Sequence, residues 1–168
     1  MAVRQKAKKK GRTYVRLATF PVEMVLPFVF TREVRHQLRR AGHKYNSKAW
    51  REASSRQYPV FINGWNKLIT VPMGSHRYQL FAEKGTTCVR CGLVGTYFAL
   101  ERGINDNPNR FHFNLYGKDE KGVEVMITKD HIIPRSRGGK NRIDNYQPMC
   151  YRCNQRKADK LPDDKSLR

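Results

Sequence analysis

The 168-residue chain is predicted to have an α+β fold in two parts, a basic mixed α/β N-terminal region and a small C-terminal module with a structural metal site. Two helix-start patterns and one hairpin pattern predict the first part. The second part is predicted because all four cysteines lie in two Cys-x-x-Cys pairs of the C-terminal half. A content of 39% hydrophobic residues disfavours one large core, and small modules need an additional stabilising element.

The composition is strongly basic and indicates the kind of partner. Thirty-four Lys and Arg against fourteen Asp and Glu give a net charge of +20 and a pI near 10.3. Such a surface attracts polyanions, so a nucleic acid is the predicted partner, in preference to a membrane surface. A charge excess that only keeps the surface hydrated is the alternative. The Lys-rich residues 1–12 lack aromatic side chains and are predicted to be disordered until they meet phosphate.

Residues 13–84 are predicted to form the mixed α/β region and to contact DNA. The stretch TREVRHQLRRAGH predicts a helix that is capped by Thr31 and ends at Gly42, and a second helix is predicted from Ser47. YPVFINGWNKLITV predicts a hairpin, since Asn63-Gly64 is a preferred two-residue turn between β-rich flanks. No catalytic pattern is recognised in this region.

Residues 85–168 are predicted to form the C-terminal module. Alternating apolar and polar residues on both sides of KDEKG predict a second hairpin over about 111–131. A glycine-rich loop, RSRGGKNRIDN, follows it. A helix is then predicted to begin near Cys150 or Tyr151 and to end before Pro162. The order is therefore strand, loop and helix, flanked by thiols.

The four cysteines are predicted to bind one structural Zn²⁺. Cys88 and Cys91 form one pair and Cys150 and Cys153 the other, so the four could surround the ion tetrahedrally. Disulfides within the pairs and a redox role are the alternatives. No apolar segment follows the basic start MAVRQKAKKKGR, so neither a secretory signal nor an oxidising compartment is expected. We expect a soluble cytoplasmic protein whose zinc site is closed and structural.

The C-terminal module resembles a known family. The residues DHI, then GG, then DN…C..CN..K occur in this order, and the resemblance covers about 86–161. This arrangement is similar to the HNH, or ββα-metal, endonucleases, in the branch with two Cys-x-x-Cys pairs. The three signature positions fall on His131, Asn145 and Asn154, with asparagine at the position of the last histidine. The resemblance implies hydrolysis of DNA phosphodiester bonds, with 5′-phosphate and 3′-hydroxyl ends, by a phage, homing or restriction-type enzyme.

Roles for the site residues follow from this resemblance and from the chemistry of hydrolysis. His131 is expected to take a proton from water, since imidazole titrates near neutral pH. Asp130 and Asn154 are expected to supply oxygen ligands to a catalytic Mg²⁺ or Mn²⁺. Asn145 is expected to brace the loop 132–144. The residues expected to contact phosphate are Lys157 first, then Arg135, Arg137 and Arg156.

A non-catalytic protein is the alternative function. A zinc-ribbon module that binds nucleic acid, for example ribosomal RNA, would have the same charge and the same cysteines. It would not explain why Asp130 and His131 occur with Asn145 and Asn154. One catalytic centre is expected to cut one strand per encounter, so a double-strand break would need a dimer or a second binding event. The oligomeric state is left open, and a phage-encoded enzyme would act in the cytoplasm of its host.

Overall fold

The computed structural model describes residues 5–9, 12–61 and 68–162, and these residues confirm an α+β fold with antiparallel strands. The chain divides into two compact units. Residues 1–74 and 97–114 make up the first unit, and residues 75–96 and 115–168 make up the second. The sequence predicts two continuous parts that meet between residues 84 and 85. Each of the two units instead combines two separate segments of the chain.

The first unit contains most of the strands and short helices of the N-terminal region. Its elements are β1 Gln5–Lys9, β2 Arg12–Pro21, α1 Val22–Val25, a 3-10 turn Leu26–Phe28, α2 Arg32–Arg40, α3 Lys48–Ser54, β3 Gln57–Phe61, β4 Leu68–Pro72 and β5 Tyr97–Gly103. β1 pairs antiparallel with β2, β2 with β5, and β3 with β4. Strand β6, His112–Lys118, begins in this unit and ends in the second.

Helices α2 and α3 begin where their capping residues predict. The Oγ1 atom of Thr31 accepts a hydrogen bond from the backbone N–H of Val34, and Ser47 Oγ accepts one from Trp50 N–H. Gly42 has a φ of +77°, a left-handed conformation that glycine adopts without strain, and it follows the end of α2. Both predicted helices are therefore confirmed.

The prediction for the N-terminal tail is wrong in part, whereas the predicted hairpin of this unit is confirmed. Gln5–Lys9 form a strand that pairs with β2, whereas residues 1–12 were predicted to be disordered. The remaining tail residues, 1–4, 10 and 11, lie outside the described residues. The predicted hairpin over 58–71 is confirmed by the pairing of β3 with β4. Its predicted turn at Asn63-Gly64 lies outside the described residues.

Aromatic side chains form the core of the first unit. Phe113 is fully buried and contacts three other rings edge to face, with centroid distances of 5.3 Å to Tyr58, 5.7 Å to Phe20 and 5.8 Å to Phe98. Such pairs are stabilising beyond the area that they bury. They join β2, β3, β5 and the start of β6.

The second unit contains α4 His76–Lys84, the end of β6, β7 Glu124–His131, β8 Tyr146–Cys150 and α5 Tyr151–Lys157. β6 pairs antiparallel with β7, as the predicted hairpin requires, and β7 pairs antiparallel with β8. Helix α5 begins at Tyr151 with Cys150 as its cap, which confirms the predicted start. Both α4 and α5 pack against β7 and β8. In the described parts of the chain, no helix has the length and apolar character needed to span a membrane.

Strand β8 was not predicted, and its sequence explains why. YQPMC contains Pro148, which lacks an N–H for the ladder and argues against a strand inside a sheet. Among the described strands β8 pairs with β7 alone, so Pro148 occupies an edge strand, where proline is tolerated. The carbonyl of Pro148 accepts a hydrogen bond of 3.0 Å from the N–H of Val89. This contact joins β8 to the loop with the first cysteine pair.

Candidate active site and metal centre

The four cysteines meet at one place in the second unit. The Sγ atoms of Cys88, Cys91, Cys150 and Cys153 all lie within 4.8 Å of one another. Tetrahedral ligands at a Zn–S distance of about 2.3 Å lie about 3.8 Å apart, and the Sγ atoms of Cys91 and Cys150 are 3.7 Å apart. The donor set and its spacing therefore fit one Zn²⁺ held by four thiolates. Zinc would tie the start of α5 to the loop after α4.

The environment of the thiols favours a bound cation. At Cys88 burial opposes the thiolate, but backbone hydrogen bonds from Cys150 and Cys91 outweigh it and lower the pKa to about 7. Burial raises the pKa of Cys150 to about 12. Without a metal the four thiols therefore do not all ionise at neutral pH, and metal binding must release protons. A guanidinium N–H of Arg156 donates to Cys153 Sγ over 3.2 Å and stabilises negative charge there.

A cavity of about 320 Å³ lies in the same unit, beside the end of β7. It brings together most of the residues that were predicted to do chemistry. Its walls are formed by ten residues, Lys129, Asp130, His131, Pro134, Arg135, Ser136, Asn154, Lys157, Ala158 and Asp159. Asn145, Arg137 and Arg156 do not line it. The cavity is large enough for a phosphate group and an ion.

Asp130 and His131 are adjacent on β7, so their side chains leave opposite faces of the strand. Asp130 is buried and its Oδ2 atom accepts a hydrogen bond of 2.8 Å from Gln147 Nε2. His131 packs edge to face on Tyr146, with 4.9 Å between ring centroids. Both residues line the cavity.

Lys157 occupies a different position from the one expected for a phosphate contact. It is buried, and its Nζ lies 3.0 Å from Asp130 Oδ2 and 2.5 Å from the carbonyl oxygen of His131. A buried ammonium beside a buried carboxylate neutralises a charge that would otherwise be costly. Lys157 does share a helix face with Asn154, as the spacing predicted. Its charge, however, faces the protein and not the solvent.

Asn154 lies in α5 and faces the same cavity as Asp130. Its Nδ2 donates to Thr128 Oγ1 over 2.9 Å, and Thr128 Oγ1 donates to the carbonyl of Met149 over 2.8 Å. This chain fixes the amide with its nitrogen toward β7, so that its carbonyl oxygen is the end left for a ligand. Together with the Asp130 carboxylate, this oxygen gives the donor set that a hard divalent ion prefers. Lys157 Nζ lies 3.2 Å from Oδ1 and 3.0 Å from Oδ2 of Asp130, so it would share this carboxylate with such an ion.

Asn141 contacts the ring of His131, and the sequence did not predict this contact. Its Oδ1 lies 2.8 Å from His131 Nε2 and also accepts a hydrogen bond of 3.4 Å from the hydroxyl of Tyr146. Because a carbonyl oxygen only accepts, Nε2 carries the proton and Nδ1 is the nitrogen that can take one. A lone Asn in a loop gives no signal of such a role, since the contact depends on how the loop folds back.

Asn145 makes the hydrogen bonds that a bracing residue requires. Its Oδ1 accepts from the N–H of Ile133, and its Nδ2 donates to the carbonyls of Ile133 and Lys140, at 2.9 to 3.0 Å. A Cβ atom on Gly139 would overlap the Ile133 carbonyl oxygen, which explains why the second glycine of the GG pair has no side chain. These contacts close the loop that follows His131.

Lys129 lines the cavity, and no pattern in the sequence singles it out. It lies two positions before His131, so both side chains leave the same face of β7. Its Nζ lies 4.0 Å from the centre of the Tyr146 ring. Burial, together with the charges of Arg77 and Arg135, lowers the pKa of Lys129. Lys129 and Arg135 both line the cavity, and an anion bound there would stabilise these two mutually repelling cations.

The three arginines that were expected to contact phosphate are placed differently from one another. Arg135 is exposed and lines the cavity. Arg137 lies 3.7 Å from the carboxylate of Asp159, with both side chains largely exposed. Arg156 donates to Cys153 Sγ and so faces the zinc cluster. Arg135 is therefore the one of the three with direct access to a ligand in the cavity.

Comparison with known proteins gives a family match over part of the chain. Residues 117–166 match the family model described as HNH endonuclease. The matched segment runs from the end of β6 through α5 and contains His131, Asn145 and Asn154. No curated protein and no solved structure is significantly similar to the chain. The match covers less than a third of the chain, so it concerns the C-terminal segment and leaves the N-terminal region unassigned.

Proposed function

We propose that the chain is a metal-dependent HNH endonuclease that hydrolyses phosphodiester bonds in DNA. The family match supports a nuclease acting on nucleic acid with a divalent metal. The observation that carries the finer proposal is the cavity in which His131 lies with two oxygen donors, Asp130 and Asn154. A zinc-ribbon binding protein would not need this combination of side chains.

His131 acts in this proposal as the general base. Asn141 holds Nε2 as a donor, so Nδ1 is free to accept the proton of the attacking water. Tyr146 packs against the ring and limits its rotation. Asn145 acts at a distance from the substrate, because its hydrogen bonds hold the loop that carries Asn141 and the backbone beside His131.

Asp130 and Asn154 would hold a catalytic Mg²⁺ or Mn²⁺. When bound, such an ion neutralises charge on the phosphate and supports the departing 3′-oxygen. Lys157 would have to yield part of its contact with Asp130 to the ion. Lys129 and Arg135 are better placed than Lys157 to attract the phosphate. The products would carry 5′-phosphate and 3′-hydroxyl ends.

We further propose that the protein is a phage-encoded, homing or restriction-type enzyme that acts in the cytoplasm. If it is phage-encoded, this is the cytoplasm of the host cell. A strongly basic protein with one catalytic centre is compatible with each of these. The single centre would nick one strand per encounter, and a dimer or a second visit would complete a double-strand break. Finding the gene within a mobile or phage element would support this assignment.

Metal dependence tests the proposed function. Zinc-loaded protein freed of other divalent ions is expected to nick supercoiled plasmid at least about 100-fold faster after Mg²⁺ or Mn²⁺ is added, since such ions contribute several kcal/mol in phosphoryl chemistry. Adding the ions back, in place of using a chelator, keeps the zinc site intact. Binding of plasmid without nicking in either ion would instead support the non-catalytic alternative.

Asn141→Ala provides a separate test of how His131 is positioned. Without the acceptor for Nε2, the ring can adopt the wrong tautomer or orientation, and kcat is expected to fall roughly 10- to 100-fold at unchanged KM. Asn141→Asp keeps an oxygen at the same place and is expected to restore most of the rate. Equal rates for wild type and Asn141→Ala would remove Asn141 from the mechanism.

A further inference from the structure

Helices α2 and α3 and the residues that connect them form a basic surface in the first unit. We call residues 32–56 the α2–α3 surface. It contains eight Lys or Arg and two Glu. Helix α2 buries none of its nine side chains, and every residue from Arg39 to Asn46 is exposed. Val34, Arg35 and Leu38 are partly buried, and the other six side chains of α2 are exposed, so its exposed face is available to another molecule.

Aromatic rings contact two of the arginines of this surface, Arg35 and Arg39. Trp50 is 5% exposed and anchors α3, and the guanidinium of Arg39 lies 5.8 Å from the centre of its ring. Arg35 lies 5.7 Å from the centre of the Phe30 ring. Tyr45 is 73% exposed and packs edge to face on Trp50 at 5.4 Å. Cation–π contacts of this kind restrict the arginines before a ligand arrives.

The acidic residues do not neutralise the surface. Glu52 lies 4.0 Å from Lys48, and Glu33 accepts a hydrogen bond from Gln37. The excess of six positive charges in twenty-five residues is therefore concentrated on one short part of the fold. Charge at this density is complementary to the regularly spaced phosphates of a nucleic-acid duplex.

We propose that the α2–α3 surface docks duplex DNA, with α2 lying in the major groove. The nine residues of α2 span about 13 Å, and a helix with its side chains is about 10–12 Å wide, which matches a groove about 12 Å wide. His36, Arg39 and Arg40 are spaced so that they share one helix face. Arg40 and Lys44 would contact phosphates. This inference rests on the proposed function for the identity of the ligand as DNA.

A matched pair of double variants tests the docking. Arg40→Gln with Lys44→Gln removes one Arg and one Lys from the α2–α3 surface. Arg110→Gln with Lys121→Gln removes the same two side chains from exposed positions elsewhere. Binding of a 25-base-pair DNA duplex is measured by fluorescence anisotropy across a range of salt concentrations, without added divalent ions. Equal thermal midpoints show that both variants are folded.

The surface variant is expected to bind duplex DNA roughly tenfold more weakly than wild type. Because two phosphate contacts are lost, the slope of log affinity against log salt concentration is expected to become about two units less steep. The control variant is expected to bind as wild type does. Equal binding by the two variants would overturn the proposal. An equal loss on duplex RNA of the same length would overturn docking in the groove, because the RNA major groove does not admit a helix. Neither outcome depends on cleavage, so failure here is distinct from failure of the nuclease proposal.

Discussion

Replacing His131 with alanine is expected to slow DNA cleavage by a factor of about 100 to 10,000 while leaving DNA affinity unchanged. This is the usual range for losing a positioned general base. The imidazole contacts Asn141 and Tyr146 but is not part of the buried core, so the variant should fold. The rate is measured under single-turnover conditions, so that product release does not mask the chemical step.

His76→Ala is the matched control for this experiment. His76 also packs against Tyr146, with 5.7 Å between ring centroids, but it does not line the cavity. Its loss is expected to leave the rate within about threefold of wild type, because no proton transfer is assigned to it. If the two histidine variants cut at equal rates, His131 is not the base, whatever else the cavity does.

Replacing Cys150 with serine is expected to have the largest effect on stability. Zinc contributes about 10–16 kcal/mol of apparent folding free energy in zinc-finger peptides, as much as the whole stability of a typical domain. Cys150 is buried and also caps α5, so its loss affects both the ion and the helix that carries Asn154. Losing even about 3 kcal/mol would lower Tm by roughly 12–24 °C in a unit of this size.

Val89→Ser is the matched control for the zinc prediction. Val89 lies between Cys88 and Cys91 and is exposed, so this variant changes the same loop without removing a ligand. It is expected to keep one zinc per chain by elemental analysis and a Tm close to wild type. A Cys150→Ser protein that also kept its zinc and its Tm would contradict the structural role of the cluster.

The sequence predicted the parts of the site that depend on local patterns. Two Cys-x-x-Cys pairs predict one zinc cluster whatever fold connects them, and the four Sγ atoms do converge. The cap at Cys150 and the alternation over β7 likewise depend on neighbours in the chain. These signals placed Asp130, His131 and Asn154 on a strand end and a helix start, and the cavity contains all three.

The missed features depend on contacts between residues distant in sequence. Lys157 has the same helical spacing whether its amine faces solvent or Asp130, and the packing of α5 on β7 decides between them. Asn141 reaches His131 because the loop folds back over ten residues. The discontinuous units arise because residues 75–96 pack with the end of the chain. No local pattern encodes such contacts.

Anomalous diffraction from crystals grown with Mn²⁺ and a DNA duplex is the most direct measurement of the central claim. We expect one Mn²⁺ in the cavity, bonded to oxygen atoms of Asp130 and Asn154, with a DNA phosphate beside it and the ring of His131 facing that phosphorus. Mn²⁺ and phosphate bound elsewhere, with the Lys157–Asp130 pair undisturbed, would contradict the assignment of this cavity as a nuclease site.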